Sequence, residues 1–208
     1  MKLLFAPTSA FVRKVMVCAH ITGLAEHIEK LDSAAHPVHR DSRIGLHNPL
    51  AKVPTLLLDD GMALYDSRVI CEFIAHRGGN AHLFPPAGAA RWEALQQQAL
   101  GDGLIDAALL ARYELTARPV EVQWPVWRQA KLANVQACLQ RIETLAPTLG
   151  VIQPTIGCIA IACALGYLDF RFPELAWRSS RPHAAAWFAR FDALPAMQRT
   201  RPFELPQH

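Results

Sequence analysis

The chain has 208 residues, of which 51% are hydrophobic and 19% charged, and its formal net charge is +3. That balance belongs to a globular chain of one large or two small domains and excludes a disordered one. The small charge, with no run of like charges, argues against a nucleic-acid partner.

Lys2 to Ala6 reads as a short buried strand. Phe11 to Thr22 carries Val12, Val15, Met16 and Ala19 on one helix face. His27 to Leu31 alternates like a strand, and Arg40 to Leu50 reads as polar and irregular. Thr55 to Leu58 and Met62 to Tyr65 flank Asp59-Asp60-Gly61, a hairpin signal. Asp66 to His76 reads as a helix stopped by Gly78-Gly79. The segment GGNAHLFPPAGA, rich in Gly and Pro, reads as a linker. Beyond it, helices are expected near 89–117, 123–146, 155–169 and 181–193. The expected domains are therefore residues 1–78, mixed α/β, and 89–208, all helical, with the linker at 79–88.

The opening MKLLFAPTSAFVRK has a four-residue apolar run before Pro7, too short for the core of a secretion signal. The longest apolar stretch, IGCIAIACALGYL, has 13 residues and is too short to span a bilayer, so no membrane partner is expected. Its apolar character on all faces predicts a buried helix. The five cysteines form no C-x-x-C pair and lie in apolar helical patterns, as expected in a reducing cytoplasm. His36 and His39 in HPVH lack further ligands nearby, so no metal is expected.

Three segments carry a resemblance: SAFVRKV from Ser9, NPLAKVPTL followed by LYDSRVICEFI, and TIGCIAIACALGYLDFR. In this order and spacing the chain resembles the cytosolic glutathione S-transferases, in particular bacterial members of serine type. The resemblance covers essentially the whole chain. It implies a thioredoxin-like α/β N-terminal domain followed by an all-α C-terminal domain, acting as a cytoplasmic homodimer in detoxification.

The resemblance also implies roles for residues that have plainer readings. Pro54 either starts a strand or, as in the family, follows a cis bond that exposes the Val53 backbone to an extended peptide. Asp66 and Ser67 are good helix N-caps. By resemblance, Ser67 holds the γ-glutamyl carboxylate of glutathione, Asp66 faces its ammonium, and Lys52 lies near the glycyl carboxylate. Ser9 is either a simple N-cap or the hydroxyl that activates the glutathione thiol, with Thr8 its rival; Phe11 follows in the same glutathione-binding motif. Ala10 stands where the family usually has proline. Asp102 is either an exposed helix acid or one that reaches a partner subunit's glutathione. Trp92, Tyr113 and Tyr167 are core aromatics or walls of a substrate cleft. Cys158 replaces the acid that usually follows the Thr155 cap.

The implied activity is transfer of glutathione, as co-substrate, to a small electrophilic apolar substrate. A glutathione-dependent isomerase, dehalogenase or peroxidase would use the same site. A non-catalytic interaction protein on this fold is the third alternative.

Overall fold

The structure, a computed structural model, describes residues 1–204. The chain forms two compact units. Among the described residues, one comprises Met1–Arg91 and 194–204; the other is Trp92–Ala193.

The first unit is built on a four-stranded sheet of order β2-β1-β3-β4, from β1 (Lys2–Phe5), β2 (Glu29–Asp32), β3 (Thr55–Leu57) and β4 (Ala63–Leu64). β1 runs parallel to β2 and antiparallel to β3, and β3 is antiparallel to β4. The parallel pair requires a crossover, which α1 (Ala10–Ile21) supplies. Helix α1 packs on α3 (Ser67–Arg77). Val12, Val15, Met16 and Ala19 are buried as their spacing requires, together with Ile70 and Ile74 of α3. At the C-terminal ends of these helices the packing is close, since a Cβ on Gly78 would lie 2.6 Å from the Thr22 side-chain Cβ.

Two elements depart from the sequence reading. The second strand is Glu29–Asp32, because Ala25–His27 forms a 3-10 turn. Part of the irregular stretch is a short helix, α2 (Ser42–His47), whose cap Asp41 accepts the Arg43 N–H at 2.9 Å. Only Ile44 of that helix is buried, so six residues carry no readable apolar period. A last short helix, α8 (Pro195–Gln198), packs on α1, where Arg13 donates to the Met197 carbonyl at 3.3 Å.

The second unit holds the body of α4 (Gly88–Thr116), then α5 (Pro125–Leu145), α6 (Ile156–Arg171) and α7 (Pro182–Asp192). Helix α6 is buried from Ile156 through Leu168, as its uniform hydropathy predicts. It approaches α4 at small residues, Gly101 against the Ala160–Ile161 backbone and Gly157 against Gln97 and Ala94. No single helix among the described residues is long and apolar enough to cross a bilayer.

Helix α7 has no capping side chain of its own; Pro182 occupies its first turn. Glu143 of α5 does that work, accepting the His183 and Ala184 N–H groups at 3.1 and 2.8 Å and contacting His183 Nδ1 at 2.7 Å. Burial pushes the Glu143 carboxyl up, but these hydrogen bonds outweigh it and hold the pKa below its ordinary value. A depressed carboxyl pKa adds stability above the unfolded value, and that stability is lost as pH falls through the folded value. Glu143→Ala should cost roughly 1 kcal/mol near neutral pH, the scale of a lost helix cap. In thermal melts the gap between variant and parent should close below about pH 4.5; a gap that does not depend on pH would show that the charge is not involved.

Candidate functional site

Strand direction gathers three segments at one end of the sheet. β1 ends at Phe5 and leads to Ser9. β3 is antiparallel to β1 with Thr55 opposite Leu4, so Val53 and Pro54 lie beside the exit of β1. β4 is antiparallel to β3 with Leu64 opposite Leu56, so the chain leaves toward the same end and enters α3 at Asp66. Ser9, Val53 and Ser67 are far apart in sequence and share one rim.

Ser9 caps α1, and its hydroxyl oxygen accepts the Val12 N–H at 3.3 Å. Its own proton has no acceptor among the described residues. The hydroxyl is therefore held as an acceptor inward and open as a donor. Thr8 is also half-buried. Phe11 is one turn further on, with the Lys14 ammonium 5.8 Å from its ring centroid.

The Val53–Pro54 peptide bond is cis, as is Tyr65–Asp66. Among the described residues, neither the N–H nor the C=O of Val53 bonds to another backbone group. The turn before it is pinned by Asn48, which is buried. Its amide donates to the Lys52 carbonyl at 3.2 Å and to the Thr55 hydroxyl at 2.9 Å, and its oxygen accepts the Leu50 N–H at 2.9 Å. The Thr55 hydroxyl donates to the same Lys52 carbonyl at 2.9 Å. The Lys52 backbone is thus fixed while its side chain is exposed.

Asp66 caps α3, accepting the Arg68 N–H at 2.9 Å. It also pairs with the Arg68 guanidinium at 2.7 Å, in a contact whose side chains are 63% and 45% exposed. Solvent screens such a pair, so it can part at little cost. Burial pushes the Asp66 carboxyl up, but Arg68, with Lys14 further off, holds it net below its ordinary value, so it is ionised. Ser67 is the first residue of α3 and is buried, and its N–H and hydroxyl have no partner among the described residues. A free N–H at a helix N-terminus suits a carboxylate.

The rim therefore offers a hydroxyl donor, an open stretch of backbone, an anion-binding helix start, a carboxylate and a cation. Two of its supports carried no assigned role in the sequence, Asn48 and the fully buried Lys14. Asn48 stands inside NPLAKVPTL, where a buried amide before a turn is the signal that identifies it. Nothing in the pattern of α1 marks Lys14 as buried.

The remaining candidates lie in the second unit. Asp102 is buried in α4 and already engaged in an interaction. Tyr113 is half-buried and Tyr167 almost wholly buried, whereas Trp92 is 69% exposed. Burial raises both phenol pKa values, that of Tyr167 to about 12, with Arg112 opposing in each case, so both are neutral donors near pH 7. Thr155 makes no capping hydrogen bond, and its hydroxyl lies 3.7 Å from the Cys158 sulfur, where an acid would complete a capping box. Among the described residues no three His, Cys, Asp or Glu side chains are grouped to hold a metal. His36 and His39 stack at 4.8 Å, and His36 Nδ1 accepts backbone N–H groups of its own turn.

Residues 8–77 match the glutathione S-transferase N-terminal domain, and residues 125–190 match the glutathione S-transferase C-terminal domain. The chain belongs to the glutathione S-transferase family. The fold agrees: this family member superimposes with TM-score 0.94 on a glutathione transferase family member of Pseudomonas fluorescens Pf-5 crystallised with bound glutathione. The two are 40% identical, over 98% of this chain and 99% of that one. A second crystal structure from that organism holds S-(propanoic acid)-glutathione, with TM-score 0.89 at 40% identity over 98% and 100% of the two chains. The glutathione S-transferase-like protein YibF of Escherichia coli K12 is 31% identical, over 97% of this chain and 98% of its own length. The matched N-terminal region contains every rim residue described above, and the pairing of a small mixed sheet with a helical part is that of the family.

Proposed function

We propose that the chain is a glutathione transferase that activates the glutathione thiol for attack on small, largely apolar electrophiles. The observation that carries this reading is the Ser9 hydroxyl, held as acceptor by Val12 and open as donor, on the same rim as the unpartnered N–H and hydroxyl of Ser67.

Glutathione has three charged ends and one thiol, and the rim has a counterpart for each. Ser67 takes the γ-glutamyl carboxylate on the N–H groups of α3. Asp66 releases Arg68 and takes the ammonium. Val53 pairs with the peptide as an added strand would. Lys52 faces the glycyl carboxylate, and Phe11 packs beside the thiol-bearing residue. The Ser9 O–H then points at sulfur. A hydrogen bond to an ionised group contributes about 1.5–3 kcal/mol, which lowers a thiol of pKa about 8.5 by roughly one to two units. The thiolate attacks the electrophile, forming a carbon–sulfur bond as the leaving group departs or as electrons move into an activated double bond. The thioether conjugate held by the Pseudomonas fluorescens relative is the kind of product such attack makes. Tyr113, Tyr167 and Trp92 are proposed to contact the electrophile, and Asp102 to act in a cytoplasmic homodimer.

Glutathione should raise the melting temperature in a saturable way, by about 2.7 kcal/mol of stability at a hundredfold excess over Kd. Asp66→Asn keeps an oxygen to cap α3 and removes the charge, so it should weaken binding about tenfold or more, the worth of one charged hydrogen bond. Absence of any shift, with calorimetry also silent, would favour a non-catalytic interaction protein. Binding without conjugation of electrophiles would point to a glutathione-dependent isomerase, dehalogenase or peroxidase.

A further inference from the structure

In the second unit, the connection between α4 and α5 reverses the usual placing of polar and apolar side chains. Within residues 115–126, Leu115, Val120, Val122, Trp124 and Val126 are each 49–77% exposed. The polar groups that brace the same stretch turn inward. Glu114, near the end of α4, is almost wholly buried; it accepts the Trp124 N–H at 2.6 Å and pairs with Arg118 at 2.9 Å. The Gln123 amide donates to the Leu115 and Arg118 carbonyls at 3.3 and 3.2 Å. A 3-10 turn, Val120–Val122, lies between these braces.

These hydrogen bonds fix a conformation whose outward side chains are apolar, so the exposure is built into the connection. Single exposed apolar residues are ordinary, whereas a group of them marks a surface that something covers. Trp124 adds a second observation. It is the N-cap of α5 and makes no side-chain capping bond, at a position where Ser, Thr, Asp or Asn is preferred. A residue that breaks a local rule with no gain inside the fold is expected to serve something outside it.

Charge identifies the partner. Residues 112–131 hold four cations, Arg112, Arg118, Arg128 and Lys131, and two acids, Glu114 and Glu121. Glu114 is engaged by Arg118, which leaves Glu121 against three cations. None of those three forms an ion pair among the described residues. The Lys131 ammonium lies 5.1 Å from the Trp127 ring centroid, and Arg112 donates to the Thr116 hydroxyl at 3.3 Å. Outward Val and Trp side chains flanked by cations match a layer that is anionic at its surface and apolar beneath. A second copy of the chain matches less well, since a two-fold pairing would set the same cations face to face.

We propose that residues 115–126 dock on an anionic lipid surface. Val120, Val122, Trp124 and Val126 enter the headgroup layer, and Arg112, Arg128 and Lys131 meet the lipid phosphates. Docking of this kind needs no spanning helix. The inference is independent of the proposed transferase reaction, in which none of these residues has a role.

The test is co-sedimentation of the full chain with vesicles of phosphatidylcholine alone and of phosphatidylcholine mixed with phosphatidylglycerol. Binding to the mixed vesicles is expected, with a blue shift of tryptophan fluorescence and a decline as sodium chloride is added. The double variant Val120→Ser, Trp124→Ser should bind about tenfold more weakly or less, since it withdraws two apolar side chains from the layer. Both residues are exposed and serine suits the N-cap, so its melting temperature should equal or exceed that of the parent. A second double variant, Arg128→Gln, Lys131→Gln, leaves the apolar side chains in place and should weaken binding to the mixed vesicles about tenfold or more. No sedimentation with mixed vesicles, equal binding to neutral and mixed vesicles, or parental binding by both variants would overturn the assignment. So would a fall in oligomeric state by light scattering in the Val120→Ser, Trp124→Ser variant, which would show that a second copy covers this surface.

Discussion

Ser9→Ala should raise the thiol pKa of bound glutathione by about one to two units, the equivalent of losing one hydrogen bond to a charged sulfur. The geometry makes the test specific. The Ser9 oxygen is committed to the Val12 N–H, so removing it costs α1 a cap as well as costing sulfur a donor. The cap loss lowers stability by about 1 kcal/mol without touching Asp66, Ser67 or Lys52. Affinity for the tripeptide should therefore persist, while turnover near neutral pH falls about tenfold or more with the lost thiolate fraction. The readout is thiolate absorbance of the binary complex titrated against pH. If Ser9→Ala leaves that titration in place and Thr8→Val displaces it, the neighbouring hydroxyl is the activator. If neither moves it, activation comes from the N–H groups and dipole of α1.

Gly101→Ala should have the largest effect on stability. An added Cβ would lie 2.5 Å from the Ala160 carbonyl carbon and 2.7 Å from the Ile161 nitrogen, both backbone atoms of the buried α6. No side chain can rotate away, so α4 and α6 must separate. Overpacking of this kind costs about 1–3 kcal/mol or more, and for a chain of this size each kcal/mol lowers Tm by about 2–4 °C. The control is two residues away. Gly103 is in the same helix, exposed, with nothing within 4 Å of its missing Cβ. Gly103→Ala should stabilise by about 0.5–1 kcal/mol through helix propensity. Opposite signs in paired thermal melts would establish the α4–α6 approach; equal effects would refute it.

Much of this architecture was legible before folding. Local signals were strong where one residue type meets one local need: Asp-Gly between apolar runs for the hairpin, Gly78 after α3, and uniform hydropathy for the buried α6. They failed where the determinant was short or distant. Helix α2 has one buried residue in six, which leaves no period to read. Glu143 caps α7 from 40 residues away, and nothing in either helix announces the other.

The residue types of the rim, from Ser9 through Val53-Pro54 to Asp66-Ser67, are a property of the sequence, and so is membership of the family, because motifs in order and spacing are one-dimensional. Whether those residues meet is decided by strand direction. Only because β3 and β4 run as they do against β1 do three loops share one end of the sheet. The tertiary structure alone also decided that Lys14 is buried, that Asp66 is shared with Arg68, and that the segment after Leu194 returns to α1 and brings Arg199 and Arg201 to face Arg13 and Lys30. The physical reason is common to all of these. Local propensity acts over a few residues, whereas burial and charge depend on everything within a few ångströms in space, whatever its distance along the chain.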